Sequence, residues 1–125
     1  MMNVLYVALG SAVGGACRYG VSQLVGRHFA GAFPLGTFLV NVVGCLLIGL
    51  LYGWLDRGML PSPTARLLLI TGFCGGFTTF STFAHENYLL FGSAHGLPAV
   101  ALYAGLSFAA GLVMVYFGHK LGGML

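Results

Sequence analysis

Charge interrupts this chain only at Arg18, Arg27, Asp56, Arg57, Arg66, Glu86 and Lys120, leaving uncharged, largely apolar runs over residues 1–17, 28–55, 67–85 and 87–119. A helix crosses a hydrocarbon core with roughly 20 apolar residues. The pattern therefore predicts four crossing helices, about 2–25, 35–55, 65–91 and 97–120. The stretches between them carry turn chemistry: Gly26-Arg27-His28 through Phe33-Pro34, Asp56-Arg57-Gly58 through Pro61-Ser62-Pro63, and Gly92 through Gly96 before Pro98. Proline at these junctions suits the first turn of a following helix. The first segment has no basic leader and no A-x-A-like cleavage site, and it contains Arg18, so it reads as a permanent helix. Residues 1–125 thus form a single transmembrane domain with no room for a soluble one.

Composition agrees: 58% of residues are apolar and 6% are charged, against about 25% charged in soluble domains. The apolar content excludes a disordered chain, three separated cysteines exclude a disulfide scaffold, and glycine without a period of three excludes collagen. The net charge of +3 comes from five scattered Lys/Arg, which form no nucleic-acid patch. Four crossings put Arg57, Arg66 and Lys120 on one side of the membrane and Arg18 and Arg27 on the other. That near-even split leaves two readings under the positive-inside rule: misplaced helix ends, or copies that insert both ways and pair antiparallel.

The 21 glycines include small-residue pairs at spacing four: Gly10/Gly14, Ser11/Gly15, Gly49/Gly53, Gly72/Gly76 and Ala101/Gly105. Such pairs let lipid-embedded helices approach closely, and they predict a tight bundle with contacts between subunits. Cys17, Cys45 and Cys74 sit inside spans without a ligand set and read as small hydrophobes. His28, His95 and His119 fall in loops or at helix ends, and His85 beside Glu86 reads as an interfacial pair.

Polar residues inside a bilayer are costly and therefore informative. The third span contains Gly75-Gly76 followed by Thr78-Thr79, poor material for an uninterrupted helix. Either it is kinked but continuous, or it breaks at the glycines and frees carbonyls able to coordinate a cation. Phe80 and Phe83 share one face beyond that point, and their ring edges carry partial positive charge. Thr37 and Asn41 share a face of the second span, Tyr103, Ser107 and Gly111 a stripe of the fourth, and Ser11, Arg18 and Ser22 a face of the first. Each polar side chain alone suits an interhelical hydrogen bond. Stripes on all four helices point instead to a polar pathway. Glu86 is the one acidic residue inside a span, so cation rings and carboxylate exchange are poorly served, whereas neutral donors suit an anion. No nucleophile–base set, metal-ligand cluster or phosphate loop supports an enzyme.

Gly14-Gly15-Ala16-Cys17-Arg18-Tyr19, Pro34-Leu35-Gly36-Thr37-Phe38-Leu39-Val40-Asn41 and the run Thr71–Phe83 followed by Glu86 together resemble the Fluc (CrcB) family of fluoride channels over nearly the whole chain. The third motif is the most specific. The resemblance implies an all-α integral membrane protein of the bacterial inner membrane, with four transmembrane helices per subunit and the third broken near mid-membrane. It also implies an antiparallel, dual-topology homodimer that passively exports fluoride through two pores and so protects the cell. On this resemblance Asn41, Phe80, Phe83, Tyr103 and Ser107 line the pore with Thr37, Thr79 and Ser81, Arg18 stands at the vestibule, and the Gly75 and Thr78 carbonyls hold a structural Na+. The chain departs from the pattern in three places. Gly111 stands where members often carry a further hydroxyl, Ala84 replaces a common Ser, and His85 lies outside it. The competing classes are a small proton-coupled exporter of toxic organic compounds acting through Glu86, and a non-transporting membrane assembly protein.

Overall fold

A computed structural model describes all residues 1–125. Four helical segments, Met2–His28, Leu35–Asp56, Pro63–Phe91 and Gly96–Met124, are each long and apolar enough to cross a membrane. We label Met2–His28 α1, Leu35–Asp56 α2, residues 63–77 α3, Ser81–Phe91 α4 and Gly96–Met124 α5. At 1.5 Å per residue, the 27 residues of α1 reach about 40 Å and the 22 of α2 about 33 Å. Both exceed a hydrocarbon core of about 30 Å.

The helix ends lie beyond those expected from turn chemistry. Gly26 does not stop α1, which continues through Arg27 and His28 before Phe29 turns extended. Basic side chains in the last turn face the negative end of the helix dipole and favour that extra turn. Likewise α5 continues past Lys120 to Met124. The α3 start is capped by Ser62, whose Oγ accepts from the Ala65 amide at 3.2 Å, with Pro63 in the first turn.

The third segment differs from its expected form in one instructive respect. Gly75 keeps helical angles, φ −64° and ψ −37°, and the chain leaves the helix only at Thr78, φ −84° and ψ 159°. Helix resumes at Ser81. Leu67–Cys74, just before the departure, is wound as a π-helix. The two glycines thus belong to the helix, and one of them serves its packing: a methyl on Gly76 would lie 2.5 Å from the Ser11 carbonyl oxygen of α1, whereas one on Gly75 would meet nothing within 4 Å.

Two close helix pairs make up the chain, α1 with α3 and α2 with α5, and α4 lies against α5. Glycine sets both distances. Gly10 and Gly14 of α1 lie against the backbone of Leu68, Gly72 and Phe73, and a methyl on Gly72 would come within 2.9 Å of the Gly10 Cα. In the second pair, Gly49 and Gly53 of α2 lie against the backbone of Val115, His119 and Gly122, and Gly118 and Gly122 of α5 against that of Leu46, Leu50 and Gly53. Gly118/Gly122 is a spacing-four pair that sequence reading passed over. Ala101/Gly105, which it noted, has no partner within the subunit, since nothing approaches Gly105 within 4 Å. A small apolar core of Leu51, Ile70 and Cys74, flanked by Leu47, Trp54 and Phe73, joins α2 to α3.

Only 17 of 125 residues are buried, while large apolar side chains on every helix point outward. This inversion of the soluble pattern is what lipid and protein neighbours require.

Glycine substitutions should separate contact from composition. Gly72→Ala is expected to destabilise the subunit by about 1–3 kcal/mol through overpacking. Gly20→Ala, where nothing lies within 4 Å, should leave the unfolding midpoint in detergent unchanged or slightly raised. Chemical unfolding followed by tryptophan fluorescence of Trp54 measures both.

Candidate functional site

α2 presents Thr37, Asn41 and Cys45 at intervals of four, so they stack along one face. That face meets the non-helical residues 78–80 and the start of α4. Asn41 makes two hydrogen bonds to one residue: its Nδ2 donates to the Thr79 carbonyl at 3.1 Å, and its Oδ1 accepts from the Thr79 amide at 2.8 Å. The side-chain amide thereby acts as a backbone partner for a residue outside any helix. One of its two N–H bonds is still free to donate elsewhere.

This clamp alters the hydrogen bonding of α3. In a continuous helix the Gly75 carbonyl would accept from the Thr79 amide and the Thr78 carbonyl from the Thr82 amide. Here the Thr79 amide donates to Asn41, and the Thr82 amide donates to Thr79 Oγ1 at 3.4 Å. The break thus leaves the carbonyls of residues 75 to 78, Gly75 and Thr78 among them, without their helical donors, while the Thr78 hydroxyl bonds back to the Cys74 carbonyl at 2.9 Å. The Gly76 carbonyl is taken by Arg18, whose Nε donates to it at 3.2 Å. Ser11 Oγ donates to the Gly72 carbonyl at 3.3 Å, a further tie between α1 and α3.

Beyond the clamp the aromatic rings form a continuous line. Phe80 and Phe83 have centroids 6.0 Å apart, Phe83 and Tyr103 5.0 Å, and Tyr103 and Phe33 5.2 Å. Phe80 is 78% exposed, whereas Tyr103 is fully buried. The line thus runs from an open face to the interior.

Two clefts lie along it. The larger, about 770 Å³, is lined by Asn41, Thr79, Phe80, Phe83 and Ser107 together with Cys45, Gly75 and Thr78. The smaller, about 330 Å³, is lined by Arg18, Thr37, Thr82 and Glu86 with Tyr19, Ser22 and Phe33. Tyr103 joins them, its ring against Phe83 and its hydroxyl donating to Glu86 Oε1 at 3.0 Å. Thr37 Oγ1 donates to the other carboxylate oxygen, Oε2, at 2.9 Å. Among the residues assigned to the pore from sequence, Ser81 alone lines neither cleft and makes no side-chain hydrogen bond; it sits in the first turn of α4.

Sequence reading missed two features. Glu86 was weighed only as a carboxylate, not as the acceptor that gathers Thr37 and Tyr103. Those partners lie 49 and 17 residues away, so no local spacing signals them. Cys45 was read as a filler and lines the main cleft; its interval of four from Asn41 was the available signal.

Residues 5–119 match the family described as CrcB-like protein, Camphor Resistance (CrcB). The chain belongs to the CrcB-like family. Named members are similar over almost their whole length. A protein of Chloroflexus aurantiacus is 44% identical over 98% of this chain and 96% of its own. One from Nitratidesulfovibrio vulgaris is 43% identical over 98% of each, and one from Aquifex aeolicus is 40% identical over 97% of this chain and 98% of its own. All three carry the name fluoride-specific ion channel FluC. With its four spans, this CrcB-like chain is a multi-pass membrane protein.

The Asn41 clamp can be tested on structure alone. Asn41→Ala removes both bonds to Thr79 and should cost about 1–3 kcal/mol. Amide hydrogen exchange should accelerate across residues 78–82 while the α2–α5 glycine contact region stays protected. Unchanged exchange at 78–82 would contradict the clamp.

Proposed function

We propose that this protein is a fluoride channel that exports the ion passively through the cleft framed by Asn41, Thr79, Phe80, Phe83 and Ser107, with Tyr103 and Thr37 continuing the path toward Arg18. The observation that carries the reading is the chemistry of this lining. It offers amide, hydroxyl and ring-edge donors along one line, while the single carboxylate within reach, Glu86, is already engaged by two hydroxyls. Neutral donors replace part of a hydration shell and still release the ion, and ring edges add positive quadrupole without a full charge. The fluoride-channel name of the relatives supports the same conclusion.

The working unit is an antiparallel homodimer with a pore on each side of its centre. An open cleft and an exposed Phe80 support a wall supplied by a second copy, and the near-even split of basic residues between the two sides suits opposite insertion. The interruption at residues 78–80 is the mid-membrane break of the third helix. Its backbone would be intolerable in lipid and is tolerable where neighbouring protein surrounds it.

The residues present fit a structural Na+ at the dimer centre. A hard cation takes carbonyl oxygens, and Gly75 and Thr78 have carbonyls without their helical donors. Gly75 also has no atom of its own subunit within 4 Å of a built Cβ, leaving room for a second copy to approach. When bound, the ion would neutralise carbonyl dipoles converging from both subunits.

A proton-coupled exporter would require Glu86 to alternate between proton and substrate. The two hydroxyl donors on Glu86 oppose that use, since they occupy both carboxylate oxygens that the exchange would need.

Fluoride efflux from liposomes containing the purified protein tests the proposal. Phe80→Ile and Phe83→Ile should each slow efflux at least about tenfold, the equivalent of one or two ring contacts, while the dimer persists on size-exclusion chromatography. Unchanged efflux in both would remove the ring-edge mechanism. Replacing Na+ with a bulky organic cation throughout purification should lower both the dimer fraction and the efflux rate; insensitivity of both would remove the sodium assignment.

A further inference from the structure

We propose that Cys45 is a further determinant of anion passage, its thiol extending the donor line of α2 beyond Asn41, and that Gly111 is the gap that admits its sulfur. The inference rests on the channel reading.

Three independent observations converge on this residue. The first is register: Cys45 follows Thr37 and Asn41 at the same interval on one face of α2, as Gly111 follows Tyr103 and Ser107 on α5. The second is contact. A methyl built on Gly111 would meet the Cys45 Sγ at 3.3 Å and no other atom within 4 Å. Any larger residue at 111 would therefore push the thiol aside, and the glycine is buried against the sulfur. The third is the surroundings. Cys45 lines the same cleft as Asn41, Phe80 and Ser107. The Ser107 hydroxyl oxygen is buried there without a hydrogen-bond partner in the chain, a costly state unless a polar guest uses it.

A role follows from the chemistry. The S–H is a weak donor, and the sulfur is soft and polarisable. A weak donor lining the same cleft as an unpartnered hydroxyl gives a small hard anion a shallow resting place, which conduction favours over a deep one. Cys74 lines the same cleft but is 2% exposed and belongs to the apolar core, so the role falls to Cys45.

Liposome efflux of fluoride across four proteins tests this. Cys45→Ala should slow efflux about fivefold, the equivalent of one hydrogen bond. Cys45→Ser, which keeps a donor of similar size, should stay within about twofold of the parent. The double variant Cys45→Ala/Gly111→Ser moves a hydroxyl into the vacated space and should recover most of the loss. A second readout is independent of flux. Methyl methanethiosulfonate should label Cys45, as located by peptide mass, more slowly in fluoride than in an equal concentration of chloride. Equal efflux in Cys45→Ala and the parent, or labelling indifferent to fluoride, would overturn the role of Cys45 and leave the channel reading standing. Absence of efflux in the parent itself would overturn the channel reading and this inference with it.

Discussion

The bond pair between Asn41 and Thr79 is the interaction on which the site depends. An apolar solvent gives a backbone amide no partner, so a chain that leaves the helix inside a membrane must find substitutes immediately. Asn41 supplies both a donor and an acceptor to Thr79. Thr79 can then stand outside the helix, and three things follow from its position. The carbonyls of Gly75 and Thr78 lose their helical amides, α4 restarts at Ser81 on a new line, and Phe80 and Phe83 are presented toward the cleft.

The glycine contacts make that arrangement rigid. Backbone-to-backbone approach in α1–α3 and α2–α5 leaves no space for side-chain rearrangement at either seam. The two pairs hold Asn41 opposite residue 79 and Arg18 on the Gly76 carbonyl. Polar side chains that lack a lipid-compatible alternative tie the helices where glycine brings them close. Packing and polarity thus act on the same elements, and the apolar surface that remains faces outward.

Much of this was legible in the sequence because membrane solvation leaves a simple record. Seven charges marked the four spans, and the end of α1 was misplaced by a few residues because a basic last turn extends a helix that glycine alone would end. The stripes of Thr37/Asn41 and Tyr103/Ser107 were visible from spacing. The point of interruption was not. Gly75-Gly76 looked like the breaking point, since glycine has poor helix propensity, yet close packing of Gly76 on Ser11 keeps the glycines helical and the clamp of Asn41 acts three residues later. Propensity is local, whereas the clamp joins residues 38 apart. The gathering of Thr37 and Tyr103 on Glu86 was hidden for the same reason, as was the contact of Cys45 with Gly111.

The central claim is that a line of neutral donors, fixed by the Asn41 clamp, carries fluoride selectively and without a coupled ion. The most direct measurement is the reversal potential of the purified protein in a planar bilayer, under a fluoride gradient with chloride and proton gradients varied independently. The account predicts a reversal potential that follows the fluoride equilibrium potential and is unmoved by chloride or by pH at constant fluoride. A shift with the chloride gradient, or with the proton gradient, would contradict it.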